Sequence, residues 1–205
     1  MKQTDNKRFW QKIAKVYGIF MKSSDHLYDE ICDKIRPELT EEMNVLELAC
    51  GTGQLSFRLS DSVKLWEATD FSKAMIEEAK KKTGGSQLYF SVKDATDLPY
   101  SDETFDVVVI GNALHVMPNP EKALSEIHRV LKKDGKLYAP TFVYSDYVLA
   151  RLRVRVMELA GFHTCYDWDE AKFAAYIQNH HFHVTQHCTL GKSIAPLCYL
   201  KARKC

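Results

Sequence analysis

The sequence predicts an α/β fold: a doubly wound, mostly parallel seven-stranded sheet with helices on both faces, an antiparallel last strand and an N-terminal helical lid. Three observations carry that expectation. Short apolar runs alternate with amphipathic stretches from residue 45 to residue 143, the pattern of βαβ units. The first run, Val45-Leu46-Glu47-Leu48-Ala49, empties into a Gly turn. The last two runs, Phe182–Cys188 and Leu197–Ala202, are joined by a short connection that allows an antiparallel hairpin on the sheet edge.

Each element has a local reason. Apolar residues at 9, 10, 13, 16, 17 and 20 form the stripe of an amphipathic helix. A second helix carries Leu27, Ile31 and Ile35, with Ser24 or Asp25 as cap and Pro37 beyond its end. Strands are expected at 45–49, 65–69, 88–92, 105–110 and 136–143, of which Phe105–Ile110 is β-branched and continuous. Helices are expected around Gln54–Leu59, at Ser72–Lys82 capped by Ser72, and at Pro120–Leu131 with Asn119 as cap and Pro120 at the first position. Asp134-Gly135 reads as a turn, and helices at Asp146–Leu159 and Glu170–Gln178 precede the late strands. One domain over 1–205 is expected, with a lid over 1–38, a core over 39–145 and C-terminal helices and edge strands over 146–205.

Composition narrows the class of function. Hydrophobic residues are 45% and charged residues 27% of the 205, so the chain can bury a core without staples. The formal net charge of +1 gives no support to nucleic-acid binding. No apolar run approaches the ~20 residues of a membrane helix, and the polar start lacks a signal-type apolar region. Six cysteines form no CxxC pair, which points to reduced thiols and a cytoplasmic setting.

Chemistry is expected where the parallel strands end. Gly51 and Gly53 allow a tight turn and close approach of a ligand. Residue 56, the third glycine of a dinucleotide fingerprint, is Ser56, which speaks against a nicotinamide enzyme. Asp70 ends the second strand, where an acid can accept from two ribose hydroxyls. Asp94-Ala95 follows the third strand and Gly111-Asn112-Ala113-Leu114 the fourth, all on one edge of the sheet.

The successive stretches ELACGTG, ATDFSKAMI, KDATDLPYSDETFDVVVIGNALHVM and IHRVLKKDGKLYAPTF resemble, in order and spacing, the motifs of class I (Rossmann-like) S-adenosylmethionine-dependent methyltransferases. The closest likeness is to the small-molecule group that includes the ubiquinone and menaquinone biosynthesis enzymes. It covers about residues 40–145 strongly. The resemblance implies S-adenosyl-L-methionine as cofactor and S-adenosyl-L-homocysteine as product. Glu47, Ala49, Gly51 and Gly53 would surround the methionine end. Asp70 would hold the ribose, with Phe71 and Met75 flanking the adenosine. Asp94 and Ala95 would meet the adenine, and Asn112 would border the methyl group. The implied activity is O-, N- or C-methylation of a small-molecule acceptor, with a binding module without turnover as the alternative. No nucleic acid, no stable membrane insertion and a monomer or homodimer are expected.

Methyl transfer from a sulfonium needs alignment more than a large catalytic set. His115, as general base, and Tyr17 are the candidate catalytic residues; Tyr17 lies on the apolar side of the first helix, which the resemblance implies folds over the cofactor as a lid. Tyr28, Tyr144 and Tyr147 are candidates for the acceptor cleft. The missing Pro-Pro-Tyr or Pro-Pro-Phe after Asn112 and the absence of Pro-Cys argue against methylation of nucleic-acid bases. His181, His183 and His187 share one face of an expected strand without a HExxH pattern, so no metal site is expected. Arg151, Arg153 and Arg155 read as a solvated basic face, and Asp70→Ala is expected to spare the fold.

Overall fold

A computed structural model describes residues 9–17, 25–143, 155, 158, 163–191 and 196–205. Helix α1 covers 9–17 and α2 Asp25–Ile35. Then follow β1 (Asn44–Leu48), α3 (Ser56–Leu59), β2 (Leu65–Asp70), α4 (Lys73–Ala79), β3 (Leu88–Val92), β4 (Phe105–Ile110) and α5 (Pro120–Val130). The chain continues through β5 (Leu131–Tyr138), β6 (Thr141–Phe142), α6 (Glu170–Gln178), β7 (Phe182–Leu190) and β8 (Leu197–Lys204).

The sheet runs in the order β3-β2-β1-β4-β5-β8, with β7 beyond β8. Strands β3, β2, β1, β4 and β5 are parallel, and β8 is antiparallel to both β5 and β7. Period-2 alternation explains why β4 is central: Val107 and Val109 enter one core, while Val108 and Ile110 enter the other. The first core packs under α2 and α4 through Ile31, Ile35 and Ile76. The second packs under α5 and α6 through Leu124, Ile127 and Phe173. Chain order reverses between β1 and β4, so the crevice at their carboxyl ends is the switch point where such sheets take ligands.

Several details depart from the sequence reading. The described residues form eight strands, because Pro140 splits the expected Lys136–Val143 strand: Ala139 N still donates to Leu200 O at 2.9 Å, and pairing resumes at Thr141 with Cys198. The expected turn at Asp134-Gly135 lies inside β5 as a register irregularity, with Asp134 at φ +60°. A shift between Val184 and Gln186 in β7 moves His187 to the opposite face from His183, so the shared histidine face does not form. Instead His187 Nδ1 meets Glu170 Oε1 at 2.7 Å. Among the described residues no cluster of metal-ligating side chains occurs, and no helix is long and apolar enough to cross a membrane. Ser72 caps α4 through Met75 N, whereas the Asn119 side chain makes no cap bond to α5. Most of the helix expected at Asp146–Leu159 lies outside the described residues, as do Tyr144, Tyr147, Arg151 and Arg153; Arg155 and Glu158 are helical and exposed.

Candidate active site

A cleft lies at the switch point, bordered by Gly51 after β1, Asp70 at the end of β2, Asn112 after β4 and Tyr17 of α1. The turn after β1 needs unusual backbone: Ala49 has φ +53° and Gly51 φ +55°. A Cβ on Gly51 would lie 3.4 Å from the Tyr17 ring, so the lid tyrosine rests directly over the loop. Trp10 meets Tyr17 edge-on at 5.6 Å between centroids and also borders the cleft. Gly53, at φ +84°, is covered on the other side by Phe57, whose ring a Cβ would strike at 2.6 Å.

Asp70 is 5% exposed, and its two oxygens accept from different backbone donors: Oδ2 from Gly51 N at 2.9 Å and Oδ1 from Ser72 N at 2.8 Å. Burial pushes its carboxyl up to about 6, with the two N–H groups opposing that rise. Gly51 and Ser72 use one lone pair on each oxygen, and a carboxylate has further acceptor capacity. Phe71 and Met75 border the same cleft, as the sequence suggested.

Glu47 takes a different place from the expected one. It is buried, and Oε2 accepts from Ser56 Oγ at 2.5 Å and Trp66 Nε1 at 2.8 Å. It does not border the cleft. Burial raises its carboxyl to about 7, against the pull of Ser56 and Trp66. The Ser56 that replaces a fingerprint glycine is thus a donor that ties the start of α3 to β1.

Asn112 sits at φ +54°, and its Nδ2 donates to Tyr28 Oη at 3.2 Å. Its Oδ1 is buried with no protein partner. Asp94 is exposed and accepts from Thr96 N at 2.9 Å and Thr96 Oγ1 at 2.7 Å. Gly53, Asp94 and the buried Ala95 do not border the cleft. Neither does His115, whose Nδ1 lies 2.9 Å from Thr141 Oγ1 and whose ring is pushed down to about 3 by burial. The sequence reading missed Trp10, Val116, Met117 and Pro118, which complete an apolar wall. An apolar stripe or a Pro-containing turn reads as packing until the tertiary fold shows which side faces a cleft.

These features fit an adenosyl cofactor. A buried carboxylate opens on the cleft, a glycine leaves room for backbone approach, and a buried amide oxygen lacks a partner there. Together with the parallel sheet and its antiparallel β8, they resemble the cofactor cleft of class I S-adenosylmethionine-dependent methyltransferases. Residues 46–139 match the family model described as Methyltransferase domain. The fold is shared with a chain of the complex between the Haloferax volcanii Trm112 methyltransferase activator and a methyltransferase, at 19% identity and TM-score 0.82 over 96% of this chain and 98% of that one. It is shared also with the Synechocystis magnesium protoporphyrin IX methyltransferase bound to S-adenosylhomocysteine, at 16% identity and TM-score 0.72 over 99% and 96%.

Within that class the chain resembles quinone-biosynthesis methyltransferases. It is 40% identical over 99 residues to the demethylmenaquinone methyltransferase of Lactobacillus johnsonii, across 45% of this chain and 41% of that protein. The chain spans about half the length of the curated relatives it matches.

Proposed function

We propose that the chain transfers the methyl group of S-adenosylmethionine to a small, flat, largely apolar acceptor of the quinol or phenol type. The supporting observation is the acceptor end of the cleft. Trp10, Tyr17, Val116, Met117 and Pro118 form an apolar wall there, and Asp70, given to the ribose, is the sole charged side chain among the described residues that border the cleft as a whole. An ammonium or carboxylate acceptor would lose its hydration there without a paired charge, whereas an aromatic acceptor gains contact area. Likeness to demethylmenaquinone methyltransferases supports the same choice.

When bound, the cofactor supplies an activated methyl on a cationic sulfur. Asp70 holds the ribose end, Gly51 and Ala49 admit the methionine end, and Phe71 and Met75 flank the adenosine. Asp94 and Ala95, beyond the cleft at the end of β3, stand where the adenine end would reach. Asn112 and Tyr17 border the space where acceptor and methyl must meet. Glu47 and Gly53 brace the loop from behind.

The test is an acceptor panel of reduced naphthoquinol, catechol, a primary amine and a carboxylate, with methylated product and S-adenosylhomocysteine read by mass spectrometry. Turnover of the quinol or catechol is expected. Turnover confined to the amine or carboxylate overturns the acceptor reading. Binding of S-adenosylhomocysteine without turnover of any acceptor favours a binding module.

His115 is assigned a structural role, because a buried imidazole held neutral makes a weak base. His115→Ala is expected to leave S-adenosylhomocysteine affinity within twofold. It should cost about 2–4 kcal/mol of stability through a cavity and an unpaired Thr141 hydroxyl. Calorimetry and thermal melts read both. Loss of turnover at unchanged thermal midpoint would restore the base.

A further inference from the structure

Tyr28 stands behind the cleft, where the Asn112 loop and the Tyr17 lid come together. It lies on α2 at 5% exposure, and its hydroxyl accepts from Asn112 Nδ2 at 3.2 Å. The same hydroxyl hydrogen-bonds the Tyr17 side chain of the lid. Beneath Tyr28 lies α3, the helix that follows the Gly51–Gly53 turn. Its Arg58 places the guanidinium 5.9 Å from the centre of the Tyr28 ring. That same Arg58 pairs with Asp25 and Asp29 of α2, each at 2.9 Å. Tyr28 is therefore held from below while its hydroxyl reaches two residues that border the cleft.

Asn112 makes this arrangement consequential. It has left-handed backbone directly after β4, a conformation Asn tolerates at a cost. Its side-chain amide can face either way about its last torsion. The Tyr28 hydroxyl engages Nδ2, which leaves Oδ1 as the buried atom without a protein partner. Losing that hydroxyl frees the amide to turn and unlinks the Tyr17 ring that covers Gly51.

We propose that Tyr28 is a positioning residue that joins the Tyr17 lid to the Asn112 loop, so that the two sides of the cleft hold the cofactor as one unit. The proposal rests on the cofactor-site reading above. Burial raises the phenol of Tyr28 from its ordinary value, so the link stays protonated at neutral pH.

A double-mutant cycle tests it. Tyr28→Phe, Tyr17→Phe and the double variant are titrated with S-adenosylhomocysteine by calorimetry, and each is melted without ligand. Each single variant is expected to weaken binding about five- to twentyfold, the range of one coupled hydrogen bond. The double variant is expected to bind no more weakly than the poorer single one, because both break the same link. Asn112→Ala opens the link from its other end and is expected to remove the effect of Tyr28→Phe. A Tyr28→Phe variant that melts lower yet binds normally overturns the proposal in favour of plain packing. Multiplied losses in the double variant overturn it as well. Wild-type protein that fails to bind S-adenosylhomocysteine would instead sink the cofactor-site reading itself.

Discussion

Asp70→Ala is expected to weaken S-adenosylhomocysteine binding by on the order of a hundredfold or more. Two ribose hydroxyls donating to a buried carboxylate contribute about 1.5–3 kcal/mol each, and ~2.7 kcal/mol is already a hundredfold. Wild-type affinity should also fall as pH drops through about 6, where the raised Asp70 carboxyl gains its proton and loses its negative acceptor. The stability effect has two opposing parts. Removing the carboxylate orphans Gly51 N and Ser72 N, at about 1–3 kcal/mol per buried group. It also removes a charge whose burial costs on the order of 3 kcal/mol once ionised, from the rise of 3.8 to about 6.

The sign of the pH dependence follows. A carboxyl raised in the folded state stabilises fully below its unfolded pKa and loses that contribution as pH rises through the folded one. Asp70→Ala should therefore be destabilised more at pH 5 than at pH 8, where it should stand close to wild type. The expectation of an intact fold thus holds at alkaline pH, for a reason the sequence did not contain. Calorimetry at pH 5.5 and 7.5, with melts at pH 5 and 8, checks both parts. Unchanged affinity would remove Asp70 from the ribose role.

How much was legible in the sequence depended on whether a property is local. Strand β4 was legible because four consecutive aliphatics can only be buried on both faces. Gly51, Asp70 and Asn112 were legible because loops at the carboxyl ends of parallel strands converge on one edge. The split at Pro140 and the bulge at Val184–Gln186 were not, since a register shift is settled by the partner strand. Glu47 shows the limit most clearly. The family resemblance implied a ligand contact for it, yet its direction is decided by Ser56 and Trp66, whose proximity only the fold creates. His115 is the same case, fixed by Thr141 across the chain. Trp10 and Met117 erred the other way, as apolar residues whose exposed side faces a cleft rather than a core.

Glu47→Gln is expected to flatten the pH dependence of stability. Wild-type Glu47 titrates at about 7 when folded against an ordinary value of 4.5, chiefly through burial. The shift corresponds to on the order of 3 kcal/mol. As in any carboxyl with a raised folded pKa, stability is full below about 4.5 and is lost as pH rises through about 7. Between pH 5 and pH 8.5 the wild type should therefore lose roughly 2–3 kcal/mol relative to Glu47→Gln. For a chain of this size that is a relative fall of roughly 5–10 °C in the thermal midpoint.

Glutamine keeps an oxygen for Ser56 and Trp66, so the two proteins should be similar at pH 5 and diverge above it. Melting curves that stay parallel from pH 5 to pH 8.5 would show that Glu47 is not the group that titrates. The same variant separates the two buried carboxyls. The loss of cofactor affinity below about pH 6 belongs to Asp70, which borders the cleft, and it should persist in Glu47→Gln. The loss of stability toward pH 8 should shrink there to the part that Asp70 contributes as it ionises near 6. Asp70 then governs what the site binds together with the smaller part of the pH-dependent stability, and Glu47 governs the larger part.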